Sequence, residues 1–271
     1  MKKTIYAVSD IHGDYLALMQ GLKDAGFDEN NPSHLLISLG DAFDRGLESY
    51  KVYEYLHRLK EKEKAIIIKG NHTNFFIDYL NGSSLSTFNY INNGTNTTLA
   101  SFLGENTTNP FLKWFQVKNN DNNIYPTGTD FLEWLVITRE KINKAYPTLL
   151  KEMEDLPYYY ETKNYIFTHG AIDTLSPDWR KPHIAFRNLL DWDALTFDDG
   201  SFFGKEINNT NKTIVIGHFG TRHLRKMYNL GSCEDDSILV RNDGKVIAID
   251  TTTILSHKVN VLVIKDEELL D

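Results

Sequence analysis

Five short polar clusters of the chain carry residue types that bind metal ions, and each follows an apolar run. The clusters are Asp10-Ile11-His12, Gly40-Asp41, Gly70-Asn71-His72, His169-Gly170 and Gly217-His218. Carboxylate, amide and imidazole groups together suit manganese, iron or zinc, and the neighbouring glycines let the backbone turn sharply. One such cluster arises easily by chance, whereas five in this context are poorly explained by chance. The pattern therefore predicts a metal site.

The first seventy residues contain the elements that would bring three of these clusters together. Apolar, strand-like runs and helix-like stretches alternate along the chain in the order 4–8, 15–25, 35–39, 47–60 and 65–68. This alternation predicts a β-α-β-α-β unit with parallel strands. The carboxyl ends of such strands share one edge of the sheet, where open α/β sheets bind ligands. We therefore expect Asp10, Asp41 and Asn71 to converge.

The rest of the chain divides into an insertion and a second set of strands. Residues 75–156 predict a mainly helical insertion, which is either a cap beside the site or an ordinary packed layer. Further strands are predicted at 165–168, 213–217, 237–241, 245–249 and 259–264. The turn Asn242-Asp243-Gly244 predicts a hairpin. We expect a mostly antiparallel second sheet packed on the first, within a single domain over 1–271.

The composition limits the classes of partner and compartment. The 271 residues include one cysteine, Cys233, which fits a reducing compartment and is expected to be an inert buried thiol. The N-terminal apolar run is too short for a signal peptide, and no stretch reaches the ~18 apolar residues of a membrane helix, so we expect a cytoplasmic protein without a membrane partner. The formal net charge of −8 disfavours binding to a nucleic-acid backbone. Phosphorylated substrates remain compatible, because two bound divalent cations would make a pocket electropositive.

The clusters, together with Asp44-Arg45-Gly46 after Asp41, resemble the signature of the calcineurin-like metallophosphoesterases. The Asp44-Arg45-Gly46 element is similar to that of the phosphoprotein-phosphatase branch, which includes bacterial and phage Ser/Thr phosphatases and symmetrical diadenosine tetraphosphatases. The motifs extend from residue 10 to residue 218, most of the chain. The resemblance implies an α/β fold, a four-layer αββα sandwich, around two metals bridged by a carboxylate and a hydroxide.

The resemblance also implies a role for each motif residue. It makes Asp41 the bridge between the metals. The other implied metal ligands are Asp10 and His12 on the first ion and Asn71, His169 and His218 on the second. His72 resembles the family's proton donor to the leaving alcohol, and Asp44 its orienting partner. Manganese is the first expectation for the ions, with iron or zinc as alternatives.

Arg45 is expected to bind the substrate phosphate, because a guanidinium fork contacts two oxygens at once. The family adds a second arginine to this clamp, contributed after the His-Gly strand. Arg187 is our choice for that position and Arg180 is the alternative, although a surface role is about as plausible for Arg187.

Three further segments bear on the branch and on the surroundings of the site. Thr73 stands where many relatives carry an acidic residue, so a local hydrogen bond from its hydroxyl is expected instead. The stretch after His218 lacks the histidine that other metallophosphoesterases place two residues on, which supports the phosphoprotein-phosphatase branch. Residues 93–99 resemble a segment in which an Asn-Gly turn leads into a helix near the site. A plain loop, with Thr98 or a neighbour as a helix cap, is the interpretation we favour there.

The predicted function is the hydrolysis of phosphomonoesters by a metal-dependent enzyme similar to Ser/Thr protein phosphatases. Hydrolysis of nucleotides, of symmetrical diadenosine polyphosphates or of other small phosphoesters is the alternative, since these share the reaction and differ only in the pocket walls. A non-catalytic phospho-ligand binding module is disfavoured, because all six metal ligands and His72 are present.

Overall fold

The computed structural model describes residues 2–119, 125–172, 179–180, 184–186, 192–193, 203, 210–241 and 244–270.

The first sheet contains the predicted β-α-β-α-β unit. Strands β1 (Lys2–Val8), β2 (His34–Ser38) and β3 (Ala65–Ile67) are parallel and are connected by helices α1 (Tyr15–Asp24) and α2 (Ser49–Glu61). The prediction of this unit is confirmed. The last strand, β11 (Leu262–Glu268), pairs antiparallel with β1 and so joins this sheet instead of the second one.

The second sheet differs from the expected, mostly antiparallel arrangement. Its strands are β4 (Tyr159–Glu161), β5 (Tyr165–Thr168), β8 (Thr213–Ile216), β9 (Leu239–Arg241) and β10 (Val246–Ala248). They are arranged in the order β4-β5-β8-β10-β9, with β5, β8 and β10 parallel and only the edge strands antiparallel. The predicted hairpin is confirmed between β9 and β10. A separate pair joins β6 (Ile184–Phe186) and β7 (Trp192–Asp193).

Eight further helices are found among the described residues. They are α3 (Asn71–Asn81), α4 (Ser86–Asn92), α5 (Thr95–Phe102), α6 (Pro110–Asn119), α7 (Gly128–Ala145), α8 (Leu149–Glu154), α9 (Thr221–Tyr228) and α10 (Thr253–Ser256). Helices α3 to α8 follow one another from residue 71 to residue 154 and contain 56 of the 82 residues of the predicted helical insertion. None of the helices in the described ranges combines the length and the apolar character needed to cross a bilayer.

Three hydrophobic clusters define four layers. Alternate residues of a strand point to opposite faces, so Ile5 of the first sheet packs against Phe167 and Val215 of the second, between the two sheets. The outer face of the first sheet, with Tyr6 and Val8, packs against α1, α2 and the insertion. The outer face of the second sheet packs against α9. The predicted αββα sandwich is confirmed.

The insertion shares its core with the first sheet. Trp134 of α7 is 1% exposed and belongs to the same hydrophobic cluster as Leu36 of β2 and Leu56 of α2. Aromatic rings surround it, with Tyr90 at 5.4 Å and Phe111 at 5.8 Å between ring centroids. We therefore propose that the chain forms one domain in which the insertion is a packed helical layer.

Cys233 is exposed in the segment between α9 and β9. The expectation of a buried thiol is therefore wrong. A segment of short turns has no hydrophobic layer in which to bury a side chain.

Candidate metal centre and active site

The five predicted clusters meet at the carboxyl ends of five strands. Asp10 and His12 follow β1, Asp41 follows β2, and Asn71 begins α3 after β3. His169 and His218 follow β5 and β8 of the second sheet. Their side chains are buried except that of His218, which is intermediate. The sandwich thus brings together side chains from both sheets, which no single cluster could achieve.

Several of these residues have a strained backbone. Positive φ angles are found at Asp10, His12, Asp41, Asp44, Arg45 and His218. A non-glycine residue in this region costs about 1–3 kcal/mol and persists only where the surroundings hold it. Two hydrogen bonds hold the loops here, since His12 N–H donates to Asp41 O at 2.9 Å and Gly46 N–H donates to His12 O at 2.9 Å. The strain is therefore concentrated at the site.

Asp41 lies at the centre of the arrangement. Its Oδ1 accepts the backbone N–H of His72 at 3.0 Å, and its Oδ2 lies 3.2 Å from His169 Nε2. It belongs to two groups of candidate ligands, one with His12 and His72 and one with His169 and His218, within each of which the ligand atoms lie within 4.8 Å of one another. A carboxylate shared by two groups has the placement that a bridging ligand requires.

The backbone approaches Asp41 so closely at Gly70 that no side chain fits there. A Cβ added to Gly70 would lie 2.6 Å from Asp41 N and would overlap the Asp41 carboxylate. The glycine before Asn71 is therefore required by close approach.

Two histidines that follow strands of the second sheet face the amide oxygen of Asn71, which follows the first sheet. Asn71 Oδ1 lies 3.0 Å from both His169 Nε2 and His218 Nδ1, and these two nitrogens are 3.2 Å apart. His169 Nδ1–H donates to Leu39 O at 2.6 Å, so its Nε2 faces the centre. Three potential ligand atoms thus converge on one position beside Asp41.

On the other side of Asp41, the guanidinium of Arg45 lies between two imidazoles. It donates to His12 Nε2 at 2.9 Å and to His72 Nε2 at 3.1 Å. Because arginine only donates, both imidazoles accept at Nε2 and carry their proton on Nδ1. His12 Nδ1–H then donates to Phe43 O at 2.9 Å, and His72 Nδ1–H donates to Asp44 Oδ2 at 2.7 Å. The pairing of His72 with Asp44 has the geometry that the sequence led us to expect.

Asp10 is held between the two sheets. Its Oδ2 accepts the backbone N–H of His218 at 2.8 Å and the hydroxyl of Ser9. Its Oδ1 lies 3.9 Å from His12 Nε2. The carboxylate is therefore oriented toward the same side of the site as His12.

Asp250 is a buried carboxyl group of this site that the sequence analysis missed. It follows β10 and is 5% exposed, and its Oδ1 accepts Thr252 N–H at 2.6 Å. With His12, Arg45 and His218 it lines a cleft of about 180 Å³. The available signal was its position directly after the predicted strand 245–249, as for the other clusters, although neither a glycine nor a histidine accompanies it.

Burial opposes the ionisation of the carboxyl groups of the site. Burial raises the pKa of Asp10, and Asp41 adds to the rise. Burial, with Asp10 close by, raises the pKa of Asp250 well above its usual range. Burial also opposes the ionisation of Asp41, but His169 and His72 hold the pKa of Asp41 well below its usual range. The site therefore favours a charged Asp41 and opposes the ionisation of Asp10 and Asp250.

The histidines respond in opposite directions. Burial favours the neutral form of His169, but Asp41 and Asp10 raise the pKa of His169 to about 9. Burial lowers the pKa of His12 well below its ordinary value, and His72 and Arg45 lower it further. A positive charge is therefore favoured beside Asp41 and Asp10, while the imidazole of His12 is kept neutral as metal ligation requires.

The donor set fits a pair of divalent cations. Its atoms are carboxylate and amide oxygens and imidazole nitrogens, without a thiolate, and Asp41 is common to both groups. Such a mixed set suits manganese, iron or zinc, and a cation there would neutralise the buried carboxylates.

Two arginines, Arg187 and Arg180, are the sequence-based candidates for the second phosphate ligand. Arg187 lies outside the described residues. Arg180 donates two hydrogen bonds to Glu161 of β4, at 3.1 and 3.0 Å, and its guanidinium lies 4.6 Å over the Trp179 ring. Arg180 is therefore held at the second sheet by a carboxylate, which does not support it as the second phosphate ligand.

Two neighbouring segments have defined roles in the site. Thr73 Oγ1 accepts Gly70 N–H at 3.3 Å, the local hydrogen bond expected of it. Helix α5 begins at Thr95, directly after Gly94, whose carbonyl accepts the backbone N–H of Arg45 at 3.2 Å. The favoured plain-loop interpretation of residues 93–99 is therefore wrong, because the Asn-Gly turn leads into a helix beside the site.

Comparison with known families identifies the family of this chain. The model of the calcineurin-like phosphoesterases matches residues 3–249, and the chain belongs to this family. Two groups of candidate ligands for divalent metals are in place among its described residues. The resemblance inferred from the motifs is confirmed.

Individual relatives share parts of the chain. The Shewanella-like protein phosphatase 1 of Plasmodium berghei (strain Anka) is 25% identical over 185 residues, 63% of this chain and 40% of that protein. An asymmetrical bis(5'-nucleosyl)-tetraphosphatase of Bacillus velezensis is 37% identical over 83 residues, 28% of this chain and 33% of that protein. The chain spans less than half the length of the curated relatives that it matches.

A solved structure shows the same fold over nearly the whole chain. The cold-active protein-tyrosine phosphatase of a psychrophilic Shewanella species superposes with a TM-score of 0.55 at 17% identity. The superposition covers 97% of this chain and 75% of that one. At this identity the likeness concerns the fold alone.

Proposed function

We propose that this chain is a metal-dependent hydrolase, a phosphomonoesterase with two metal ions, and that its substrates are phosphorylated Ser/Thr proteins. The observation that carries the proposal is the position of Asp41 between two groups of ligands, with the His72–Asp44 pair at 2.7 Å and Arg45 on the same side. The groups that we propose as metal ligands, proton donor and phosphate ligand therefore lie around one space.

The metal ligands follow from the two groups. Asp41 would bridge the ions, Asp10 and His12 would complete the first, and Asn71, His169 and His218 the second. When bound, the two ions would supply a nucleophile at neutral pH and neutralise the phosphoryl oxygens. We propose manganese as the native metal, because oxygen ligands make up half of this set.

His72 is assigned to proton donation although distances alone would also allow it as a ligand with His12 and Asp41. Its Nδ1–H donates to a carboxylate, Asp44, whereas the Nδ1–H groups of His12 and His169 donate to backbone carbonyls. A carboxylate partner fixes the orientation of the ring, with Nε2 directed into the site. Once substrate displaces Arg45 from Nε2, a proton on that nitrogen can pass to the leaving alkoxide.

Arg45 is assigned to the phosphate. Both terminal nitrogens of its guanidinium donate into the space between His12 and His72. A phosphoryl group there would replace these neutral acceptors by charged oxygens, which bind a guanidinium about twice as strongly. Arg187 remains our proposal for the second arginine.

The names of the relatives support the proposed substrate class. The relative aligned over the longest stretch is named a protein phosphatase, which supports phosphoproteins. The tetraphosphatase relatives support hydrolysis of nucleotides or diadenosine polyphosphates as the second candidate.

The exposed Cys233 thiol is compatible with the reducing, cytoplasmic compartment that we propose.

The deciding experiment compares kcat/KM of the manganese-loaded protein on a phosphoserine peptide, diadenosine tetraphosphate and a simple nucleotide. A preference of about a hundredfold, or roughly 2.7 kcal/mol of transition-state binding, assigns the class. The Asp41→Asn variant, prepared in the same way, measures contaminating phosphatases. Full activity of the wild type after exhaustive chelation would contradict the two-metal proposal.

A further inference from the structure

We propose that helix α5 of the insertion positions the proton donor, with Thr95 and Thr98 as positioning residues that hold Asp44. This inference rests on the proposed function, because it assigns to Asp44 the task of orienting His72. Neither threonine reaches the metal ligands. They act on the reaction through the carboxylate that holds the imidazole.

Thr98 makes two hydrogen bonds to Asp44. Its Oγ1 donates to Asp44 Oδ1 at 2.6 Å and accepts Asp44 N–H at 2.8 Å, with the Ser49 hydroxyl 3.2 Å away. Both residues have 0% exposure. One hydroxyl therefore ties the side chain and the backbone of Asp44 together where water does not compete.

Thr95 acts on the other carboxylate oxygen. Its Oγ1 donates at 3.2 Å to Asp44 Oδ2, the atom that accepts His72 Nδ1–H at 2.7 Å. Each oxygen of Asp44 thus receives a hydroxyl of α5. The directions of these two hydrogen bonds fix the plane of the carboxylate, and with it the direction from which His72 can bind. The rotation of the imidazole is therefore coupled to the first turn of α5.

The same turn also fixes the backbone of the Asp44-Arg45 pair. Both residues have a φ of 71°, in the left-handed region. The Arg45 N–H donates to Gly94 O at 3.2 Å, and a Cβ on Gly94 would lie 2.7 Å from Arg45 N. Such a conformation persists only when neighbours hold it, and here the neighbour is the start of α5.

Thr97 provides a matched control on the same helix. It is 4% exposed, and its hydroxyl donates to Gly94 O at 2.8 Å, which leaves Asp44 untouched. Replacing Thr97 by valine removes a buried threonine hydroxyl from α5 without removing a bond to the proposed catalytic pair.

The kinetic test compares Thr98→Val, Thr95→Val, Thr98→Ser and Thr97→Val on an alkyl phosphate and on p-nitrophenyl phosphate, with His72→Asn as reference. A poor leaving group needs the proton, whereas p-nitrophenolate does not. We expect Thr98→Val to lower kcat for the alkyl phosphate about tenfold or more with KM nearly unchanged, and to change p-nitrophenyl phosphate little. Thr95→Val should show a smaller loss of the same kind. Thr98→Ser should restore the rate and Thr97→Val should show no selectivity.

A second readout does not require activity. The His72 Nδ1–H resonance, assigned by its loss in His72→Asn, should exchange with water faster in Thr98→Val and Thr95→Val than in the wild type and Thr97→Val. Equal slowing of both substrates, or unchanged exchange in a folded Thr98→Val protein, overturns the positioning role. If the wild type hydrolyses neither substrate, the proposed function fails, while the exchange comparison still decides whether α5 positions His72.

Discussion

At the scale of single residues, the imidazoles of the site differ in the group that holds each of them. His12 and His169 donate their Nδ1–H to backbone carbonyls, while His72 donates to the carboxylate of Asp44. We propose that this difference separates the metal ligands from the proton donor, because the partners differ in charge. Asp41 differs from every other carboxylate of the site in being common to both ligand groups.

The first prediction concerns that bridge. Asp41→Asn should weaken the binding of both metals, because one charged bridging ligand is lost, whereas Asp10→Ala should mainly weaken one. Elemental analysis after equilibrium dialysis measures the number of metals per chain. Asp24→Asn, which changes an exposed carboxylate on α1, is the control and should leave the count unchanged. Two metals bound to Asp41→Asn at unaltered affinity would remove Asp41 from the bridging position.

The second prediction concerns Arg45. Arg45→Ala should lower kcat/KM by about a hundredfold or more and weaken product inhibition by phosphate, with metal content unaltered, because its two donors face the substrate. Steady-state kinetics with metal analysis tests this. Arg58→Ala removes a half-exposed arginine that pairs with Glu29 at 2.8 Å and is the matched control. Unaltered kinetics in Arg45→Ala would place this guanidinium outside the phosphate clamp.

At the scale of elements, the insertion does more than extend the chain between two sheets. Its helices share the core of the first sheet through Trp134, and α5 contacts the loop that follows β2 through hydrogen bonds to Asp44 and Arg45. A packed layer is stiffer than a loop. The helical layer therefore stabilises the loop that carries Asp44 and Arg45.

The third prediction tests this packing. Trp134→Ala should destabilise the protein by about 3–5 kcal/mol, because it removes a fully buried indole and leaves a cavity. Trp114→Ala, at a half-buried position on α6, should cost clearly less. Chemical denaturation measures the free energy of unfolding of both variants. An equal loss of unfolding free energy in both variants would mean that burial of Trp134 does not make a special contribution to the stability of the insertion.

At the scale of the whole molecule, the candidate ligands come from both sheets. Asp10, His12, Asp41 and Asn71 extend from the first sheet, and His169 and His218 from the second. Metals bound there would cross-link the two halves of the sandwich. They would also compensate the buried carboxylates whose pKa values are raised, Asp10 and Asp250.

The fourth prediction follows from this cross-link. Manganese at about a hundred times its Kd should add roughly 2.7 kcal/mol to the free energy of unfolding, because it binds the folded state alone. Tm should then rise by about 5–10 °C and fall again on chelation, as followed by calorimetry. Asp41→Asn should lose most of the shift. A wild-type Tm that is insensitive to manganese and chelator would contradict a metal site that joins the sheets.

Local sequence patterns were sufficient for the three parallel strands of the first sheet and for the five polar clusters. Each depends on the period of a strand or on neighbours only a few residues apart. The pairing of His72 with Asp44, 28 residues away, was implied only by the family resemblance. A buried parallel strand reads as a continuous apolar run wherever it lies, so its end can be located from the sequence. The residue types that follow that end then indicate the chemistry.

Which strands pair, and which side chains meet across the chain, was decided by the tertiary structure. The sequence predicted a strand at 259–264 in the second sheet, whereas the observed strand, Leu262–Glu268, pairs with β1 in the first. The parallel arrangement of β5, β8 and β10 could likewise not be predicted from the sequence, because the hydrophobic period of a strand does not encode its direction. Thr98 contacts Asp44 across 54 residues of sequence, and Asp10, near the start of the chain, lies close enough to Asp250 to help raise its pKa. Such contacts arise only when layers pack, since a side chain's long-range partner depends on the register of the elements that carry it and not on its neighbours in sequence.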